Sequence, residues 1–400
     1  MQSFPPSRAA GMTRLSDFLP HAGTAYAACR NFDHGPGDRS NVSLLSPYVR
    51  RRLVTEGEVV AAALALHGPL EAGKFVQEQL WRTYWKGWLE MRPAVWADYG
   101  AGLVAARDRL ERVGGLARAH DQAVAGRTGI DCFDAWVAEL ETQGYLHNHA
   151  RMWFASIWVF TLRLPWELGA DLFMTHLLDG DPASNTLSWR WVAGLQTRGK
   201  TYLARPWNIR HYTGGRFDPQ GLATRAEPLE GPEPPRPAPL PTPVRPLDGV
   251  PTGLLLHGED MAPEVGLDLP RGLKSLAVTR LAPAQAGGDK VITWVDAALG
   301  DLAARAGALL GLEPARPESL EAVVDWARSA GLRQVVTPHA PVGGTADALA
   351  ALEPRLARHG ITLCRVPRAH DLACWPHATR GFFTMKEEIP RLVADLGYLP

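Results

Sequence analysis

Apolar residues in the first half of the chain recur at the three- and four-residue spacing of amphipathic helices. Residues 7–19 read as a short helix ending near Pro20, and residues 48–66 and 74–91 as longer ones. Residues 92–127 form a further helical region broken at Gly114-Gly115, and residues 131–143 and 149–163 are two helices joined through 144–148. Ten prolines then crowd the stretch from Pro228 to Pro251, the composition of a polyproline-type linker. Beyond it the texture changes. Residues 253–257, 275–281, 334–337 and 361–366 read as strands, and 291–310, 319–329 and 345–358 as helices. Such alternation indicates a parallel α/β sheet. The expected architecture is therefore a multidomain α and α/β chain. An all-α domain spans 1–226, a Pro-rich linker 227–251, and a smaller Rossmann-like α/β domain 252–400.

Composition narrows the class. The chain has 400 residues, 46% of them hydrophobic and 21% charged, with 42 basic and 42 acidic side chains. A formal net charge of zero supplies no global field toward nucleic acid, so any such contact needs a local basic patch. Residues 200–219, with Arg205, Arg210, His211 and Arg216 among aromatics, could supply one or be a solvated loop. The cysteines Cys29, Cys132, Cys364 and Cys374 are far apart and form no C-x-x-C pair, which argues against zinc, an iron–sulfur cluster or a disulfide framework. His147 and His149 diverge on a helix and make a poor metal pair. No uninterrupted apolar run reaches ~18 residues and no leader-like segment opens the chain, so a cytoplasmic protein is expected. There is no G-x-G-x-x-G, P-loop or G-x-S-x-G, and Gly343-Gly344 suits a helix entry better than an anion site.

Candidate chemistry centres on Leu177 to Trp191. Asp179 and Asp181 flank Gly180 at a turn, and Asn185, Trp189 and Trp191 follow closely. In a helix after Pro182, Asn185 and Trp189 would share a face. Carboxylates, an amide and an indole would suit a planar heteroaromatic ligand bearing N–H groups. An Asx-type turn ahead of a helix with core tryptophans fits the same residues. Upstream, Ser43 and Ser46 precede a helix, where backbone N–H groups and hydroxyls can hold an anion, or a serine can simply cap. Glu78, Trp81, Arg82 and Trp85 fall on one helical face, a mixture suited to a polar, stackable substrate.

Five stretches together resemble the DNA photolyase/cryptochrome family. Asp179-Gly180-Asp181, Asn185 and Trp189-x-Trp191 resemble its flavin-binding signature, and Asn41 to Tyr48 its phosphate-holding T-S-R-L-S-P-Y-L. Phe75 to Trp85 resembles its substrate-facing helix. Thr128-Gly129-Ile130 with Asp134, and Gly144 to Met152, resemble T-G-x-x-x-x-D and G-W-x-H-N-x-x-R-M. Val42, Leu44 and His149 depart from the family, which has Thr, Arg and Arg there. The α/β domain also lies behind the helical one rather than in front. Because residues 360–366 resemble the end of an antenna half-sheet, a permuted antenna domain is expected.

The resemblance implies a light-driven repair enzyme in which reduced FAD donates an electron to a cyclobutane pyrimidine dimer flipped from DNA. FAD would be held by Tyr26, Ser43, Leu44, Leu45, Ser46, Arg151, Asp179, Gly180, Asp181 and Asn185, with Arg151 paired to Asp179. Trp81 and Trp191 would stack on the lesion, Glu78 would hydrogen-bond it, Asn148 would orient it and Met152 would pack beside it. Arg82, Trp85 and His149 would join Glu78, Trp81 and Asn148 in touching DNA. Asn148 and Met152 favour cyclobutane dimers, since (6-4) enzymes carry histidines in that block. Electrons would reach the flavin through Trp189 and Trp166. The family's outermost tryptophan is replaced by Val113, so either the relay stops at two indoles or another aromatic takes over, with Trp158 as a candidate and Trp153 and Tyr145 as weaker ones. The expected partner is damaged DNA, bound by a monomer without metal or membrane. A cryptochrome-like photoreceptor without repair activity, or a flavoprotein of other chemistry, remains open, as does the antenna chromophore.

Overall fold

The computed structural model describes residues 4–281 and 287–400. They gather into two compact units. One comprises Thr24–Leu44 and Arg92–Arg236; the other comprises Phe4–Gly23, Leu45–Met91 and Pro237–Pro400. The contacts thus group the chain differently from the consecutive division read in the sequence, because 45–91 packs with the α/β elements.

The first unit is helical. Helices Ala94–Arg112, Gly114–Val124, Asp131–Gln143, Asn148–Ser156, Trp166–His176 and Pro182–Val192 surround one core. Trp136, Trp153, Trp158 and Trp189 are among the largest fully buried side chains, which accounts for much of the tryptophan excess. Helix Asp131–Gln143 ends on Gly144 in the left-handed region (φ 64), the usual glycine stop. The helix expected through 163 is α-helical only to Ser156 and then widens into a π turn, Ile157–Thr161, that carries Trp158.

In the second unit, strands β1 (Thr252–His257), β2 (Ser275–Thr279), β3 (Pro314–Ala315), β4 (Gln334–Pro338) and β5 (Thr362–Val366) form a parallel sheet in the order β3-β2-β1-β4-β5. Helices Asp289–Leu310, Leu320–Ser329 and Gly344–Ala357 connect them, the last entered through Gly343. The helix expected over 48–66 is divided. A short helix Ser46–Arg50 ends, Arg52 turns with φ 51, and a capping box at Thr55 and Glu58 starts helix Glu56–Glu90. Gly68 (φ 69, ψ 170) kinks that helix. By length and composition that helix is long and apolar enough to cross a bilayer, as many core helices are. The kink and the buried Glu56, Lys86 and Glu90 fit a core helix better. Trp375 packs so closely that a Cβ on Gly87 would lie 2.7 Å from its ring. Helices Ala369–Cys374 and Phe382–Asp395, which the sequence reading did not single out, complete this unit.

Candidate functional site

The D-G-D turn in the first unit divides its carboxylates between two tasks. Asp181 caps helix Pro182–Val192, accepting from Ser184 N at 2.8 Å, with Pro182 in the first turn. Asp179, 5% exposed, accepts from Arg151 Nη2 at 2.9 Å. Arg151 Nε donates to the Leu146 carbonyl at 2.8 Å, and its guanidinium lies 5.5 Å from the Tyr145 ring centre. Burial pushes the Tyr145 phenol up to about 12. Gly180 follows a turn closed by Gly180 N to Leu177 O (3.0 Å), and a Cβ there would meet that carbonyl at 3.1 Å. Glycine is needed for close approach rather than for a left-handed φ. Asn185 and Trp189 do share a face. Asn185 Nδ2 donates to the Ala170 carbonyl at 2.8 Å, and Trp189 is buried.

Asn148, one turn before Arg151, is exposed, and Met152, next to it in the chain, is half-buried. Beneath them lies a buried support. His147 Nε2 donates to the Arg30 carbonyl (3.0 Å), while its Nδ1 accepts from His149 N (3.2 Å). Burial lowers its pKa to about 3 and keeps the ring neutral. His149 is engaged inward: Nδ1 meets the Asn31 carbonyl at 3.0 Å, Nε2 meets Tyr202 Oη at 3.3 Å, and the ring stacks on Trp153 at 4.0 Å. Trp191, half-buried, stacks on Tyr202 at 5.7 Å.

Trp207 is a surface group that the sequence reading did not single out. It is 68% exposed on helix Pro206–Tyr212, between exposed Arg205, Arg210 and His211. Its flanking arginines were the available signal. Arg216, by contrast, is tied inward, to Asp33 Oδ2 at 3.0 Å and to the Asp33 carbonyl at 2.6 Å.

The expected electron relay is packed in a different order. Trp189 and Trp158 are edge-to-face at 6.3 Å, and Trp158 continues to the His120 ring at 5.9 Å. Trp166 contacts Tyr99 at 5.6 Å, and Tyr99 contacts Trp96 at 5.4 Å. Gly169 makes the seat for the inner pair: a Cβ there would lie 2.3 Å from Trp189 and 3.0 Å from Trp158.

The remaining candidates are divided between the units. Tyr26, Ser43 and Leu44 belong to the first, and Leu44 is held at φ 55, strained for a side chain of its size. Leu45, Ser46, Glu78, Trp81, Arg82 and Trp85 belong to the second. There Glu78 pairs with Lys74 (2.6 Å), Arg82 Nη1 donates to the Ser46 carbonyl (3.4 Å), and Trp81 stacks on Phe382 at 3.7 Å. Trp85 lies 5.5 Å from Trp81.

The sheet's own crevice is filled. In doubly wound sheets ligands bind beyond the carboxyl ends of strands where the order reverses, here β1 and β4. Just past β1, Glu259 binds Arg50 (3.0 Å for one of two bonds), and Asp260 accepts two bonds from Arg368 (2.5 and 2.6 Å). Buried Arg52 reaches Asp371 (2.6 Å), Glu56 (3.1 Å) and Asp260 (3.4 Å). Although burial alone would raise them, these arginines hold Glu259 and Asp260 below the ordinary carboxylate range.

Residues 75–226 match the family model for the FAD binding domain of DNA photolyase. That region is similar to the FAD-binding domain of DNA photolyases. The match opens on the Glu78–Trp85 face and takes in the D-G-D helix. The Asn41–Tyr48 stretch and the α/β part lie outside it. A deoxyribodipyrimidine photo-lyase of Streptomyces griseus is 36% identical over 182 residues, 45% of this chain and 37% of that protein. The Escherichia coli deoxyribodipyrimidine photo-lyase is 29% identical over 221 residues, 54% of this chain and 45% of that protein. A solved class III photolyase from Agrobacterium tumefaciens aligns with a TM-score of 0.42 at 25% identity, covering 52% of this chain and 43% of its own. The chain thus spans less than half the length of these photolyase relatives.

Proposed function

We propose that this protein binds FAD in its photolyase-type region and repairs cyclobutane pyrimidine dimers in DNA under light. The observation that carries the reading is the Arg151–Asp179 pair, anchored to the D-G-D helix and flanked by the exposed Asn148 and half-buried Met152. Ser184 Oγ, Thr186 Oγ1 and Trp189 Nε1 are buried on that same helix without partners among the described residues, as a polar heteroaromatic cofactor would require. Bound FAD, reduced and excited by light, would supply the electron that opens the cyclobutane ring.

The chain's own residues bind and orient. Arg151 pairs with Asp179 and aims its carboxylate, which can accept from ligand N–H groups. Tyr26, Ser43, Leu44, Gly180, Asp181 and Asn185, all of the same unit, would complete the cofactor contacts. Asn148 offers a donor and an acceptor to a flipped base, Met152 a soft apolar wall, and Trp191 a ring face backed by Tyr202. Arg205, Arg210 and exposed Trp207 give a local basic and stacking patch in a chain of zero net charge.

One observation favours the photoreceptor alternative. Glu78, expected to hydrogen-bond the lesion, is paired with Lys74. The test is dimer opening in a short thymine-dimer oligonucleotide under blue light, with dark and Asp179→Ala controls. Flavin absorption without light-dependent repair would overturn the repair reading and leave a photoreceptor or a flavoprotein of other chemistry. Absence of flavin bands after expression with ample riboflavin would sink both.

A further inference from the structure

The indole of Trp81 is not a free surface. Phe382, from a helix outside the family match, lies nearly parallel to it, with ring centres 3.7 Å apart and planes 15° apart. Phe382 is itself fixed: it is 2% exposed, and its ring meets Tyr84 edge-on at 5.5 Å. Tyr84 Oη donates to the Arg380 carbonyl at 2.7 Å, which ties down the turn leading into helix Phe382–Asp395. Met385, Leu392 and Val393 bury the rest of that helix, whereas the next residue, Phe383, is 72% exposed. Trp85 and Tyr84 bracket Trp81 at 5.5 and 5.6 Å.

A ring has two faces, and one face of Trp81 is covered by a buried side chain. A removable lid would be exposed and weakly packed, which Phe382 is not. Trp81 nevertheless stays half-buried rather than sealed. We infer that Phe382 is a positioning residue for Trp81, fixing the indole plane so that its other face receives a base of the lesion. The C-terminal helix would then be part of the substrate platform. This rests on the reading of Trp81 as a lesion-stacking residue.

The test is dark binding of a labelled single-stranded oligonucleotide carrying one thymine dimer, with undamaged oligonucleotide as reference, followed by anisotropy. Trp81→Ala loses lesion preference. Phe382→Leu, which keeps apolar bulk but removes the ring, weakens lesion binding about fivefold to tenfold, part of what one stacked base contributes. Phe382→Tyr restores it, which a purely space-filling role would not require. In the double variant, Phe382→Leu adds nothing to Trp81→Ala. Wild-type affinity in Phe382→Leu alongside loss in Trp81→Ala overturns the inference and leaves the repair reading standing. Tighter binding in Phe382→Leu also overturns it, because a lid behaves that way. No loss in Trp81→Ala refutes the lesion-stacking reading and this inference with it. If Phe382→Leu fails to fold, Phe382→Tyr and Phe382→Trp decide: both must bind as wild type, and loss in either is fatal.

Discussion

Single atoms decide the packing around Trp189. Gly169 has no side chain because Trp189 and Trp158 occupy the space a Cβ would take, at 2.3 and 3.0 Å. Gly169→Ala should therefore destabilise the protein by ~1–3 kcal/mol through overpacking, read as a lower thermal midpoint. The same contact sets the order of the proposed relay. Trp158 touches Trp189 directly, so Trp158→Phe should slow flavin photoreduction more than Trp166→Phe does, and Trp189→Phe should abolish it. Transient absorption under blue light checks all three. Equal rates in Trp158→Phe and wild type would remove Trp158 from the path. Repair by chemically pre-reduced protein should survive each change, since these indoles do not face the lesion.

Helix Asn148–Ser156 presents Asn148, Arg151 and Met152, and it depends on a neutral imidazole at its start. His147 caps it with an unprotonated Nδ1, and burial lowers its pKa to about 3 from the ordinary 6.5. Burial lowers His149 as well. Between those values the unfolded chain binds more protons than the folded one, so stability falls as pH drops below about 6.5. Asp33 acts in the same direction at lower pH: burial would raise it, but Arg39 and Arg216 more than offset this and hold it down. Glu139, raised by burial despite Arg39, opposes the trend over a narrow range above its ordinary value. Thermal midpoints followed by circular dichroism should therefore decline steadily from pH 7 to pH 5. A flat profile would show that His147 is charged or exposed in the folded protein. At the other helix of the site, Asp181→Ala should cost ~1 kcal/mol for the lost cap, independently of cofactor.

Across the whole chain, helix Glu56–Glu90 belongs with the α/β elements. Phe75, Leu80, Trp88 and Leu89 are buried, and the same unit contains Trp375 and the buried Arg52 network. A fragment ending at residue 226 would strand that apolar face and leave Arg52 without Asp260 and Asp371. Such a fragment should be poorly soluble or lose helix content, whereas the full chain is neither, as expression trials and far-UV spectra would show. A well-folded, flavin-loaded fragment 1–226 would restore the consecutive division. Arg52→Ala in the full chain should cost ~3–5 kcal/mol, because it leaves three buried carboxylates around an empty place.

Local signals and periodicity carry much of this protein in its sequence. The α/β alternation, the Gly144 stop, the Asp181-Pro182 helix start and the Arg151–Asp179 partnership are legible because they rest on residue type at short spacing or on a family signature. Long-range packing carries the rest. Nothing near Trp81 in sequence announces Phe382, nor does anything near Arg52 announce Asp371, because the pairs lie hundreds of residues apart and their side chains suit many partners. The relay order likewise escapes spacing. Trp158 meets Trp189 because Gly169 makes room and a π turn re-aims the indole, and both are properties of the packed core. Sequence fixes what a helix face can offer, whereas the fold determines which neighbour already occupies it.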